Sequence, residues 1–287
     1  MGWLAPIVCS AVTLAVYDVC KKHSVSGNRP FAVLLVTSAT GFLSTAAALA
    51  AAGRLGSALA LAPREMLLLA AKSLIVATSW SLAYFALRTL PVTVMAPIRA
   101  TGPLWTTLAA VAIFSEVPSP RQSVGFALAF AAFFAFSLAT RREGFRLRSK
   151  PMLLAVAATL AGSASALYDK HLIASLNLRP ETVLLWFMGG MTLVYAAICA
   201  ATARSDSTPF IWRWTIPAVG ILLAVSDFCY FTAIDAPDAR ISVLSTIRRT
   251  STALTFVLGG AVFRERNLWR KGLALAALLA GVFLLCQ

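Results

Sequence analysis

The chain has 287 residues, of which 59% are hydrophobic and 13% charged, and its mean hydropathy is +0.81. Soluble globular domains carry roughly 45–50% apolar and about 25% charged residues, so this composition excludes a pair of ordinary soluble domains. Despite the net charge of +14 we expect no nucleic-acid partner, because so few charges leave too little polar surface for a phosphate-tracking groove. An apolar chain whose scarce charges are mainly basic is typical of a multi-pass membrane protein with basic loops.

Mostly apolar runs follow one another along the chain, and each is long enough to cross a bilayer core, which needs about 17–25 residues. The first run is interpreted as a spanning helix rather than a removable signal peptide, because no Lys or Arg precedes it and further runs follow. The loops between the runs are too short for a soluble catalytic domain. The ten predicted spans are 3–22, 30–52, 66–87, 92–115, 121–140, 151–173, 181–203, 214–234, 239–263 and 268–286.

The two halves of the chain, 1–140 and 151–287, resemble each other on either side of a basic connecting segment, 141–150. Charged residues are scarce, so their recurrence in the same ordinal span of each half indicates a repeat of five helices. Because five is odd, the second copy enters the membrane from the opposite side, and such inverted repeats are typical of secondary transporters that work by alternating access. The recurring residues are Arg99 with Arg248, Glu116 with Glu265, and Tyr17-Asp18 with Tyr168-Asp169.

The fourth span contains a proline and is followed by a glutamate, and a small residue lies early in the fifth span. The residues of this pattern are Pro103, Glu116 and Gly125, with Glu265 and Gly272 in the second half. The chain thereby resembles the EamA-type transporters of the drug/metabolite transporter superfamily over essentially its whole length, although Thr252 replaces the second proline. The resemblance implies a bacterial inner-membrane protein that transports a small metabolite, often outward. It also implies a central cavity lined by the first, third, fourth, sixth, eighth and ninth spans.

Arg99 and Arg248 lie inside the fourth and ninth spans, where ionisable groups are costly and mark functional sites. Both are expected near mid-depth, where such folds bind substrate. Guanidinium groups bind carboxylates and phosphates in bidentate fashion, so the pair favours an anionic or zwitterionic substrate. The structural alternative is an arginine neutralised by Asp227 or by helix carbonyls. The predicted substrate-binding residues are Arg99, Arg248, Arg249, Asp227, Trp80, Tyr84, Trp105 and Tyr230, with simple packing as the alternative for the aromatic ones.

Asp18 and Asp169 lie late in the first and sixth spans, near opposite membrane faces under inverted symmetry. Together with the preceding Tyr17 and Tyr168 they are candidate gates or proton carriers, because burial favours the neutral form of a carboxylate. The alternative is local charge pairing within the helix, which is favoured at a spacing of three or four residues. The basic residues available for it are Lys21 and Lys22 for Asp18, and Lys170 and His171 for Asp169. Lys72 is expected to extend to the interface, and Glu116 and Glu265 to pair with basic loop residues.

Three function classes remain. The first is a secondary transporter of a small anionic or zwitterionic metabolite. We expect it to contact membrane lipids and to be a monomer or a homodimer. The second is a flippase for a lipid-linked or amphiphilic substrate, which predicts a laterally open cavity. The third is a non-transporting membrane subunit, which predicts fully paired arginines and no central cavity. No phosphate-binding loop, zinc-protease or serine-hydrolase motif occurs, so we expect no enzyme, cofactor or metal site. The positive-inside rule puts both termini outside the cytoplasm.

Overall fold

The computed structural model describes residues 2–105, 108, 119–141, 148–203, 208–234, 241–265 and 267–285. Within these ranges all regular structure is helical, so the all-α fold class is confirmed. A π-helical turn, His171–Ser175, extends α7. The helices are α1 Leu4–Val25, α2 Pro30–Ala51, α3 Leu55–Leu59, α4 Pro63–Thr89, α5 Val92–Ala100, α6 Pro120–Arg141, α7 Lys150–Lys170, α8 Pro180–Thr202, α9 Thr215–Ile234, α10 Ile241–Val262 and α11 Leu268–Leu285.

Six of the described helices are long and apolar enough to cross a membrane, and they coincide with the first, second, third, fifth, sixth and seventh predicted spans. Two shorter apolar segments, Thr215–Tyr230 and Thr250–Val262, lie in the eighth and ninth. The chain is therefore a multi-pass membrane protein by length and composition. The full count of ten spans and the inverted relation of the halves stay predictions.

Proline residues set where several helices begin. Pro30, Pro63, Pro120 and Pro180 each occupy the first position of a helix, where the missing N–H has no intrahelical partner to lose. The turn that follows α1 contains Gly27 at φ 65°, a left-handed conformation that glycine adopts without strain. Proline and glycine at these positions explain why most predicted spans begin close to the first residue of an observed helix.

The fourth predicted span, 92–115, is interrupted in its described part. Helix α5 ends at Ala100, Thr101 lies in a turn, and helical structure resumes over residues 102–105. Pro97 and Pro103 flank this break, and each lacks the N–H that a continuous helix requires. The Thr101 hydroxyl donates to the Ile98 carbonyl at 2.6 Å. The chain therefore bends directly beside Arg99.

Helices of the two halves pack in matched sets. α1 packs on α9 and α10, as its counterpart α7 packs on α4 and α5. α2 packs on α8 and α9, as its counterpart α8 packs on α2 and α4, and α6 packs on α11. This is the packing that a two-fold repeat of five helices would produce.

Two of these helix pairs approach each other through glycine. A Cβ on Gly220 of α9 would lie 2.2 Å from Thr40 Oγ1 and 2.4 Å from the Thr37 carbonyl oxygen, both on α2. A Cβ on Gly281 of α11 would lie 2.7 Å from the Ala129 nitrogen of α6. Backbones can come this close only where one side chain is absent, as is common between helices in membranes.

Candidate functional site

A cavity of about 700 Å³ lies between helices of both halves. Residues of α1, α4, α5, α7, α8, α9 and α10 line it, so all six spans implied by the family resemblance contribute, together with the seventh. A smaller cavity of about 290 Å³ has Arg99, Tyr230 and Arg248 in common with it and includes Asp18 in its wall. The two arginines therefore stand where the cavities meet.

Arg99 forms an ion pair with Asp18, which connects α5 to α1 within the first half. The Arg99 side chain stays 38% exposed and that of Asp18 15%, so the guanidinium keeps a face toward the cavity. The second Asp18 oxygen accepts a long hydrogen bond of 3.4 Å from Thr255. Asp18 is thus paired through tertiary contacts, and the alternative of a local pair with Lys21 or Lys22 is not what forms.

Arg248 forms an ion pair with Asp227, which connects α10 to α9 within the second half. Its guanidinium carbon lies 4.2 Å from the centroid of the Tyr230 ring, one helical turn beyond Asp227. A guanidinium stacked on an aromatic face gains a cation–π interaction and is held in a fixed orientation. Arg248 is 23% exposed and lines both cavities. Arg248 is therefore neutralised by Asp227, as the structural alternative in the sequence analysis predicts.

Lys72 forms the third ion pair of the cavity, with Asp169 at 2.6 Å, and this pair joins α4 of the first half to α7 of the second. Lys72 also donates to the hydroxyl of Ser165 at 2.5 Å and to its carbonyl at 3.2 Å. The side chain is 3% exposed, so the prediction that Lys72 extends to the interface is wrong. It points inward because two residues on one face of α7, a turn apart, supply acceptors for the ammonium.

Lys21 is a cavity residue that the sequence analysis considers only as a local charge partner of Asp18. Its side chain is buried and its Nζ donates to the Tyr17 hydroxyl at 3.4 Å. The same Nζ lies 5.2, 5.6 and 5.0 Å from the ring centroids of Tyr17, Trp80 and Tyr84. A usable signal was present, because Lys21 follows Tyr17 by four residues and so shares its helix face. Three rings around one ammonium form a cation-binding aromatic cluster.

The tight junction between α4 and α5 is fixed by charged groups from elsewhere in the chain. Glu265 accepts hydrogen bonds from the backbone N–H groups of Val92 and Thr93 at 2.8 and 2.9 Å, which caps the start of α5. Lys22 donates to the carbonyls of Leu87 and Leu90, at the end of α4, at 2.6 and 2.7 Å. A carboxylate therefore satisfies the free N–H groups at the start of α5, and an ammonium satisfies the free carbonyls at the end of α4. Each charge is the one that the helix dipole favours at that terminus.

A buried lysine completes the junction. Lys271 of α11 donates to the Thr93 hydroxyl at 3.1 Å and is fully buried, and that hydroxyl in turn donates to Glu265. Glu265 is thus structural, as expected, but its described partners are a helix terminus and a hydroxyl rather than a basic loop residue. The positive-inside argument counts Lys21, Lys22 and Lys271 as loop charges, but they lie within α1 and α11, and this weakens the argument for orientation.

Three further predicted residues lie beside the cavity rather than in its wall. Tyr84 is fully buried and stacks on Trp80, with ring centroids 6.4 Å apart and planes 12° apart. The indole N–H of Trp105 donates to the Thr101 hydroxyl at 3.0 Å, and the Tyr168 hydroxyl to the Leu68 carbonyl at 3.2 Å. Trp80 and Tyr17 do line it. The side chain of Arg249, with those of Glu116 and Lys170, lies outside the described residues.

Residues 1–138 match the model of the EamA-like transporter family, so the predicted resemblance is confirmed over the first half of the chain. That family consists of transporters and not of enzymes. One solved crystal structure superposes with a TM-score of 0.68 at 15% sequence identity, and the match covers 98% of this chain and 95% of that one. At this identity the likeness shows the fold alone. None of the curated proteins matches the sequence.

Proposed function

On the premise that residues 1–138 belong to the EamA-like transporter family, we propose that this chain is a secondary transporter of a small anionic or zwitterionic metabolite. The substrate is an amino acid or a carboxylated or phosphorylated compound, and the proposed direction is export across a bacterial inner membrane. The two inverted halves, 1–140 and 151–287, rock about the cavity and expose it to each side of the membrane in turn.

The observation that carries this proposal is a cavity whose wall combines charged residues from both halves. Its volume of about 700 Å³ falls in the range of small-molecule sites, which is about 300–1,000 Å³. Four cations line the two adjoining cavities against three carboxylates, so the wall carries a net positive charge: Lys21, Lys72, Arg99 and Arg248 against Asp18, Asp169 and Asp227. A desolvated wall of this sign favours an anionic group on the substrate.

Alternating access assigns different roles to the three ion pairs. The Arg99–Asp18 pair joins two helices of the first half, and the Arg248–Asp227 pair joins two helices of the second. The Lys72–Asp169 pair is the one of the three that crosses between the halves, and in the proposed mechanism it breaks when they separate. We therefore propose Asp169 as a gate residue with Lys72 as its partner, whereas Asp18 orients a substrate-binding arginine.

The rival functions fit the geometry less well. A non-transporting subunit predicts paired arginines and no central cavity, and only the first of these holds. A flippase predicts a cavity that opens sideways to lipid, whereas residues of seven helices line this cavity. Transport of a small soluble molecule therefore remains the proposal.

Transport by the purified chain in liposomes tests this directly. Vesicles are loaded with a mixture of amino acids, monocarboxylates and sugar phosphates, and the loss of each compound is followed by mass spectrometry. At least one anionic or zwitterionic compound should leave saturably. The charge-neutral double variants D18N/R99Q and D227N/R248Q should slow that efflux about 10–100-fold, because a hydrogen bond to a charged group contributes about 1.5–3 kcal/mol.

The matched control is Arg54→Gln, which breaks the ion pair of Arg54 with Glu181 at the start of α8, outside both cavities. It should transport like the unaltered chain, since exposed pairs contribute about 0–1 kcal/mol. Efflux no faster than from protein-free vesicles would overturn the transporter proposal. Undiminished efflux in both double variants would overturn the role of the arginines.

A further inference from the structure

Lys21 is the one charged residue in the described walls of the two cavities that has no carboxylate partner there. Arg99, Arg248 and Lys72 each form an ion pair, whereas no described carboxylate lies within 4 Å of the Lys21 ammonium. The side chain is nevertheless only 2% exposed. A buried, unpaired ammonium is costly, and such a group is retained in a cavity wall where it has a ligand to meet.

The aromatic cluster around Lys21 stabilises the charge without neutralising it. The rings of Tyr17, Trp80 and Tyr84, 5.0–5.6 Å from Nζ, attract the ammonium through their electron-rich faces. An ammonium has three N–H donors, and among described residues the Tyr17 hydroxyl, at 3.4 Å, is the only acceptor for them. The ammonium form of Lys21 therefore has no carboxylate partner among the described residues, and it faces the cavity, which Lys21 lines.

The face of α4 next to Lys21 indicates what the rest of the ligand is like. Val76, Trp80 and Ala83 recur at helical spacing along this face and all line the cavity. They form an apolar strip along α4 that runs from beside the rings that contact Lys21 toward Lys72. A ligand whose anionic end meets Lys21 thus lays an apolar body against Trp80.

We propose that Lys21 is the counter-ion of a substrate monocarboxylate whose apolar skeleton lies against the Val76–Trp80–Ala83 face of α4. This inference rests on the proposed transport function and specifies its substrate class. The three ion pairs balance one another, so the wall carries one net positive charge when Lys21 is protonated, and a monoanion matches that charge. A dianionic phosphate ester would bring one uncompensated negative charge into the same desolvated space.

Benzoate, benzamide and inorganic phosphate are suitable probes, because benzoate and benzamide differ in charge but hardly in shape. The thermal unfolding of the full-length chain in detergent is followed with rising concentrations of each. Benzoate should raise the melting temperature saturably, and benzamide and phosphate should do so at least tenfold more weakly. The variant Lys21→Met should lose at least tenfold in benzoate affinity, while Lys21→Arg, which keeps the charge, should retain more of it.

Two controls keep the result interpretable. Lys21→Met should melt without ligand no lower than the unaltered chain, because it removes a buried unpaired charge. Lys150→Met removes an exposed lysine at the start of α7 and should leave benzoate binding unchanged. Benzoate affinity that is equal in Lys21→Met, absent from the unaltered chain, or below that of phosphate would each overturn this inference.

The outcome is separable from that of the transport assay. If benzoate binding depends on Lys21 but no compound leaves the vesicles, transport fails and the counter-ion role is supported. If efflux depends on Arg99 and Arg248 but benzoate binds equally to Lys21→Met, the counter-ion role fails alone.

Discussion

The two ends of α4 join the halves of the molecule in different ways. Toward its N-terminal end, Lys72 reaches across to Asp169 and Ser165 of α7, and the Asp169 side chain is 37% exposed. At its C-terminal end, the junction with α5 receives Glu265 and Lys271 from the second half, and Lys271 is fully buried. One end is thus held by the Lys72 cluster together with the hydrogen bond from Tyr168 to the Leu68 carbonyl, and the other by a network of charged groups that includes helix termini.

If the halves separate as the proposed mechanism requires, this difference indicates which contact breaks first. Breaking the Lys72–Asp169 pair leaves Asp169, already partly exposed, within reach of water. Breaking the junction leaves the first N–H groups of α5 and the part-buried carboxylate of Glu265 without their protein partners, and each buried group left unsatisfied costs about 1–3 kcal/mol. We therefore expect the Lys72 end to work as the gate and the junction to work as a fixed connection.

The largest effect should come from Glu265→Gln. The amide keeps one acceptor oxygen but loses the charge that faces the start of α5 and the neighbouring Lys271, so the free energy of unfolding should fall by about 3 kcal/mol. A clear drop in the melting temperature measures this. Glu181→Gln, which also removes a paired glutamate, should shift it far less, because that pair with Arg54 is partly exposed. Equal shifts in both variants would remove the distinction between the junction and an ordinary surface pair.

An intermediate effect is expected at the other end, from Lys72→Met combined with Asp169→Asn. This change removes the gate pair while leaving no unpaired charge behind. Ala158 lines the cavity about three turns before Asp169, so a cysteine placed there, in a chain without native cysteines, reports on access. A membrane-impermeant maleimide should label it about tenfold faster than in the parent, since charged hydrogen bonds contribute about 1.5–3 kcal/mol. An unchanged or slower rate would argue against gating by this pair.

The smallest effect should come from Ser165→Ala, which removes one acceptor of Lys72 and leaves the ion pair in place. The same labelling rate should rise about threefold to fivefold, because one hydrogen bond contributes about 1 kcal/mol net. Ser44→Ala is the matched control, since the Ser44 hydroxyl bonds only within α2 among described contacts. A rise as large as that for the loss of the ion pair would mean that Ser165, not Asp169, holds Lys72.

The sequence was sufficient to predict the long helices. Spans 3–22 and 30–52 lie within about three residues of α1 and α2, because an uninterrupted apolar run between turn residues has no competing structure in a bilayer. The fourth span was harder, since hydropathy does not register the backbone break that Pro97 and Pro103 introduce. Hydropathy averages over side chains, whereas a helix ends where the backbone loses its donors.

Candidate site residues could be predicted where they are charged, because charged residues are rare inside the spans. The partners of these residues could not be predicted. Arg99 and Arg248 stand out because charge is rare inside spans, and both line the cavity. Spacing within one helix suggested Lys21 for Asp18, yet Arg99 of another helix is the partner. A spacing rule considers only neighbours on the same helix, while in a bundle the nearest charge often belongs to a different one. Lys21 itself was missed because it lies at the end of its span, where basic residues usually face water.

The close contacts at Gly220 and Gly281 carry a consequence for handling the protein. Lipid tails and detergent tails are equally apolar, so neither competes strongly with backbone packing of this kind, and the α2–α9 and α6–α11 pairs should survive extraction into micelles. The proposed gate pair of Lys72 and Asp169 should respond differently, because when it breaks its groups form hydrogen bonds to water instead. The choice of detergent should therefore leave these two helix pairs intact while it changes the proportions of the proposed open and closed forms. A preparation that is well folded can thus still differ from the membrane-embedded protein in those proportions.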